Sequence, residues 1–168
     1  DDDLFFDREQ TLELLNQMAD KFNNRLKWVT NNAVIAAAVT DEIMDAAYRS
    51  GCVHLGFGVE SGNEARLKSI KKPTTKRKIR EVYQKLRKDY PDITLTANLM
   101  VGFPNETILE LAETYAFGLE LENDWVKVCI TQPLKGTNMY SVFAELGDPR
   151  AEKDSADNYS VGRQLQRE

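Results

Sequence analysis

The residues that could do chemistry sit where small side chains alternate with bulky ones. From Val53 to Glu60, His54, Gly56, Gly58 and Glu60 share one parity, while Val53, Leu55, Phe57 and Val59 share the other. A glycine row that ends on a carboxylate leaves room for a ligand and offers it a charged acceptor, which suits ribose hydroxyls or an amino group. From Ile93 to Val101, Thr94, Thr96, Asn98 and Met100 lie opposite Ile93, Leu95, Ala97, Leu99 and Val101. This run ends on Gly102-Phe103-Pro104-Asn105-Glu106, a sharp turn into a helix whose free N-terminal amides suit an anionic or polar group. Lys127, Cys129 and Thr131 oppose Val126, Val128 and Ile130 in the same way. His54, the only histidine, reads as an inward packing residue before it reads as a proton shuttle. Cys52 and Cys129 lack metal-ligand spacing and read as lone buried thiols.

The elements that must hold these residues alternate along the chain. Helical spacing follows Asp7, Thr40, Thr74 or Thr75, and Asn105, with Gly51 as a left-handed stop after the second helix and Pro91 just past the third. Between the helices lie β-type runs at 26–30, 53–59, 93–101 and 125–131. Strand alternating with helix predicts an α/β fold with a parallel sheet. Strands covered on both faces read as continuous apolar runs, and these do not. The branched rows must therefore meet the helices, and the small, polar rows must face inward. A closed barrel fills its interior with branched side chains, so glycines there leave space for a ligand at the strands' C-terminal ends. The competing reading is an open sheet with one wet face.

Composition narrows the class. The chain has 168 residues, 42% hydrophobic and 29% charged, which is one domain of ordinary size. Its 22 Lys and Arg against 27 Asp and Glu leave a net charge of −5, which gives no sign of a nucleic-acid-binding surface. Lys76-Arg77-Lys78, with Lys71 and Lys72 nearby, reads as a solvated helix face. There is no long apolar span or signal peptide, so the expectation is a cytoplasmic protein without membrane contact. Residues 1–147 are expected to form the barrel core and 148–168 a polar tail or linker. The chain opens on Asp1 rather than Met, which suggests a piece of something longer.

Taken in order, five segments resemble the radical S-adenosylmethionine (SAM) superfamily, nearest the group whose members often carry an upstream cobalamin-binding domain. They are DDDLFF at 1–6, TDEIMDAAYRSGC at 40–52, GFGVESG at 56–62, LMVGFPNET at 99–107 and QPLKGTNMY at 132–140. The resemblance implies a full or partial (β/α) TIM-type barrel that binds SAM across its strand ends. In that family a reduced 4Fe–4S cluster cleaves SAM to a 5′-deoxyadenosyl radical. By this likeness Asp2 and Asp3 approach the methionyl amino group, and Glu60 and Ser61 grip the ribose or amino acid moiety. Gly102, Pro104 and Glu106 belong to a segment that borders adenine. Gly56, Gly58 and Asn98 complete the expected cofactor-binding set.

The departures bear on function. The family's C-x-x-x-C-x-x-C loop would lie upstream of Asp1, and two cysteines are too few for a typical 4Fe–4S site. Many relatives carry an Arg where this chain reads Val34-Ile35-Ala36-Ala37-Ala38. The expectation is therefore the SAM-binding core of a radical SAM enzyme, inactive by itself, whose cluster is held upstream and served by a reductant. The resemblance also admits cobalamin as a cofactor of such a longer protein, and the substrate is a small molecule or unknown. The alternative is a degenerate, cluster-less barrel acting as a binding or scaffolding module. A phosphate-binding barrel enzyme would need a late Gly-rich loop, and Gly136-Thr137-Asn138 is a poor one.

Overall fold

Strand and helix alternate along the chain and close into half of a barrel. The structure, a computed structural model, describes residues 4–30 and 32–151. Asp2, Asp3 and the expected tail from residue 152 onward lie outside the described residues. Helix α1 (Arg8–Phe22) precedes β1 (Trp28–Val29), α2 (Asp41–Arg49) and β2 (Cys52–Glu60). Then come α3 (Glu64–Ser69), α4 (Lys76–Asp89), β3 (Thr94–Val101), α5 (Ile108–Glu120), β4 (Trp125–Ile130) and α6 (Asn138–Glu145). The strands form one parallel sheet in the order β1-β2-β3-β4, a partial TIM-type barrel.

Helix starts follow side-chain caps. The Asp7, Thr40 and Thr75 side chains accept from the backbone N–H groups of Gln10, Ile43 and Lys78. Gly51, at φ +96°, ends α2 where a Cβ would stand 2.0 Å from the Leu26 carbonyl oxygen. The fourth expected helix starts two residues later than the sequence suggested. Asn105 adopts φ +56° in the preceding turn, and Thr107 caps α5 through a complete capping box with Glu110. Two short helices, α3 and α6, were not anticipated.

One face of the sheet is buried under helices. Leu55, Phe57 and Val59 of β2 and Leu95, Ala97 and Leu99 of β3 join Ile43 and Ala47 of α2 and Ile79, Tyr83 and Leu86 of α4 in the core. The Phe57 and Tyr83 rings lie 5.2 Å apart in a tilted pair. β1 is shorter than its sequence run, although Thr30 N–H still donates to the His54 carbonyl and Val34 rejoins as a parallel bridge to Phe57. β1 and β4 are the edges among the described strands, and β4 is the longer one. The outward row of β4, Val126, Val128 and Ile130, stays 46–62% exposed.

The first residues of the segment expected as a tail belong to the folded body. Pro149–Ala151 form a 3₁₀ turn, Ala151 is buried, and the Tyr140 hydroxyl donates to its carbonyl.

Candidate functional site at the C-terminal ends of β2 and β3

At the end of β2 the strand register changes. Gly58 pairs with Asn98 but Glu60 pairs with Leu99, so Val59 is an extra residue in a bulge, and Glu60 adopts φ +64°. A left-handed conformation is costly for a residue with a Cβ and clusters at functional sites. It returns the Glu60 side chain over Gly58, where Oε1 accepts from Lys72 Nζ at 2.7 Å. Both side chains are only 17% exposed. A Cβ at position 58 would come within 2.7 Å of Lys72 Nζ and 2.9 Å of Glu60 Oε1. Gly58 is therefore the floor beneath a half-buried ion pair. Lys72, read from sequence as part of a solvated basic run, arrives there from the α3–α4 loop.

The rest of the open face is polar, as the alternation implied. His54 Nε2 and Thr96 Oγ1 are 2.8 Å apart, and Gly56 N–H donates to Thr30 Oγ1 at 2.8 Å. His54 is thus a paired inner-face residue. A Cβ at Gly56 would meet only ordinary contacts, at 3.8 Å from Thr30 Oγ1 and 3.9 Å from Asn98 Nδ2 and His54 Cε1. The Asn98 carboxamide makes no side-chain hydrogen bond among the described residues. In register, Gly58, Asn98 and Lys127 form one row across three strands, with Gly56, Thr96 and Trp125 the row below.

Two expectations change in the loops. Ser61 does not face the open side: it is fully buried, its hydroxyl lies 3.1 Å from that of Thr114 in α5, and it accepts from Asn63 N–H. The adjoining Gly62 packs so closely that a Cβ would stand 2.2 Å from the Glu113 carbonyl oxygen. The amides of the 102–106 turn are also not free. Glu106 Oε2 accepts from Gly102 N–H at 2.5 Å and from Phe103 N–H at 3.3 Å, so the turn supplies its own anion. Glu106 Oε1 is buried without a hydrogen-bond partner among the described residues. The Pro104 carbonyl accepts from Arg66, whose guanidinium lies 5.3 Å from the Phe103 ring centroid and pairs with Glu110. The Thr107 backbone N–H, followed by Arg66, holds the Glu110 carboxyl below its usual range. Gly102, at φ +77°, leaves space that the Arg150 guanidinium fills, 3.0 Å from a would-be Cβ.

These residues fit SAM in charge: a glycine floor that a Cβ would fill, a half-buried acid–base pair and, among the described residues, an unpartnered carboxamide and an orphaned carboxylate oxygen. They do not fit an iron–sulfur cluster. Burial pushes the Cys52 thiol up to about 12, which opposes thiolate ligation, and Cys129 lies on β4, two strands away. Among the described residues no group of His, Cys, Asp and Glu is placed to hold a metal ion. No helix among them is long and apolar enough to cross a membrane.

A parallel half-barrel with helices on one face and a polar row on the other defines a class of barrel proteins that take ligands at the strand ends. Within that class, the pattern of the radical SAM superfamily matches residues 2–118, and the chain belongs to this superfamily. It is 29% identical over 136 residues to a tRNA-2-methylthio-N(6)-dimethylallyladenosine synthase of Thermus thermophilus, covering 80% of this chain and 29% of that protein. It is 32% identical over 94 residues to the threonylcarbamoyladenosine tRNA methylthiotransferase MtaB of Bacillus subtilis, covering 55% of this chain and 21% of that protein. The chain therefore spans less than a third of either relative. Its fold is shared with the radical SAM enzyme coproporphyrinogen III oxidase of Escherichia coli, with a TM-score of 0.65 and 18% identity over 90% of this chain and 33% of that one. It is also shared with a radical SAM methyltransferase of Kitasatospora setae solved with cobalamin and a [4Fe–4S] cluster, with a TM-score of 0.63 and 16% identity over 73% of this chain and 25% of that one.

Proposed function

We propose that these residues form the SAM-binding part of a radical SAM enzyme. The supporting observation is the Glu60–Lys72 pair lying over Gly58 at the mouth of the hollow. A zwitterionic amino acid head carries an ammonium and a carboxylate side by side. It can replace the pair partner for partner: Glu60 takes the ammonium and Lys72 the carboxylate, and no buried charge is left unpaired. Asn98 offers both a donor and an acceptor to ribose hydroxyls, and Glu106 Oε1 an acceptor to a ligand N–H. Asp2 and Asp3 remain part of the proposed set through the family likeness alone. Bound SAM would supply the radical precursor common to the superfamily, its reductive cleavage depending on a 4Fe–4S cluster and a reductant supplied from outside these residues. Cobalamin stays a further cofactor of such a polypeptide. The substrate, a small molecule or another class, is unassigned; the names of the two relatives refer to tRNA.

The test is calorimetric titration of SAM into the complete native polypeptide. Glu60→Gln and Lys72→Met should each weaken binding by about tenfold or more, since each loses one charge-assisted contact. Unchanged affinity in both variants would remove the basis for this reading and favour a scaffolding module.

A further inference from the structure

The strand pairing of β3 with β4 ends at Val101 and Ile130, and the last backbone bond runs from Thr131 N–H to the Val101 carbonyl. Beyond it the carbonyls of Gly102 and Thr131 have no ladder partner among the described residues. Arg150 supplies one: its Nη1 donates to Gly102 O at 2.9 Å and to Thr131 O at 3.2 Å. The guanidinium is itself held. Nε and Nη2 donate to the two oxygens of Asp148 at 2.9 and 2.7 Å, and the group lies 4.5 Å from the ring centroid of Phe143, a fully buried residue of α6. Gly102 is thereby gripped from opposite ends, its N–H by Glu106 and its carbonyl by Arg150. Its missing Cβ is what lets the guanidinium approach.

We propose that Arg150 is a positioning residue for the cofactor end of the half-barrel, locking the ends of β3 and β4 together and fixing the Gly102 turn against which SAM would rest. This rests on the SAM-binding reading above. A lysine cannot replace it, because a single ammonium does not span two carbonyls and a carboxylate in one plane. Arg150 touches no reacting atom; it acts through Gly102.

Two measurements on the complete native polypeptide test this. Without SAM, amide hydrogen exchange at Gly102 and Phe103 should quicken in Arg150→Ala and, less so, in Arg150→Lys. In resting protein, SAM binding should weaken about tenfold in Arg150→Ala, the size expected when a charge-assisted contact that orders a site is lost. Millimolar guanidinium added to Arg150→Ala should recover part of both signals, which a purely global loss of stability would not allow. If Arg150→Ala does not fold, Asp148→Asn keeps the bridge but loosens its mounting and carries the same two readouts. Exchange at Gly102 and Phe103 unaltered by these variants would refute the lock. Altered exchange with unaltered SAM affinity would reduce Arg150 to a structural role. A wild-type protein that does not bind SAM would instead overturn the proposed function, with the exchange arm still reporting on the lock.

Discussion

Replacing Gly58 by valine separates the space a ligand needs from the space the fold needs. A Cβ there would lie 2.7 Å from Lys72 Nζ, 2.9 Å from Glu60 Oε1 and 3.5 Å from the Ala33 Cβ. The two closest atoms are the far ends of flexible side chains, each still 17% exposed, so both can swing aside. Gly58 is not among the positive-φ residues, so the backbone accepts a side chain. A strand residue with a Cβ regains about 0.5–1 kcal/mol relative to glycine, which offsets part of the disturbed ion pair. The thermal midpoint should therefore move by only about 2–4 °C in a domain of this size. SAM has no such freedom. An overpacking penalty of about 1–3 kcal/mol corresponds to roughly five- to 150-fold weaker binding. Calorimetry with SAM, run beside thermal unfolding of the complete polypeptide, reads both numbers. Gly56→Ala is the companion, because its Cβ fits at 3.8–3.9 Å and any loss of affinity there belongs to the ligand alone. A Gly58→Val protein that binds SAM like the wild type would show that the hollow over β2 is not where the ligand lies.

Two further outcomes follow from the geometry. Gly62→Ala should destabilise the fold by roughly 3 kcal/mol or more, because its Cβ would stand 2.2 Å from the Glu113 carbonyl oxygen and helix backbone cannot rotate away; denaturant unfolding with a wild-type midpoint would contradict the close approach. Asp148 is pulled down to about 2, first by the Arg150 side chain and then by the Arg150 backbone N–H. A depressed carboxyl stabilises the fold above its unfolded value and loses that contribution as pH falls through the folded one. The gap in thermal midpoint between wild type and Asp148→Asn should thus close between about pH 5 and pH 2, and a gap independent of pH would refute the pairing.

The two-residue period made much of this legible. Leu55, Phe57 and Val59 are buried against helices, and His54, Gly56, Asn98 and Thr96 line the other side, because a pleated strand alternates faces whatever its neighbours are. What alternation could not reveal was the bulge at Val59 and the left-handed Glu60, since a bulge depends on which residues pair across strands. Lys72 was hidden for a related reason: its place is set by the length of the α3–α4 loop and not by its charged neighbours. The short α3 lacks enough turns to show a period. Ser61 and Glu106 are polar residues at strand ends that could equally have met a ligand, and the structure spends one on α5 and most of the other on its own turn. Arg150 lay inside a run read as tail. The Asp-Pro-Arg sequence after Gly147 is a turn signal that could have placed it nearer the body.

The exposed border of β4 has a consequence for how such a protein can diversify. Among the described residues, the groups proposed to hold the cofactor sit on β2, β3 and their following loops, one strand or more inside that border. Whatever polypeptide is added alongside β4 can enlarge or reshape the hollow without redrawing the cofactor's surroundings. On that proposal the sheet would separate an inner half kept for a shared reagent from an outer margin open to renovation, so changing the reaction would not mean rebuilding the grip.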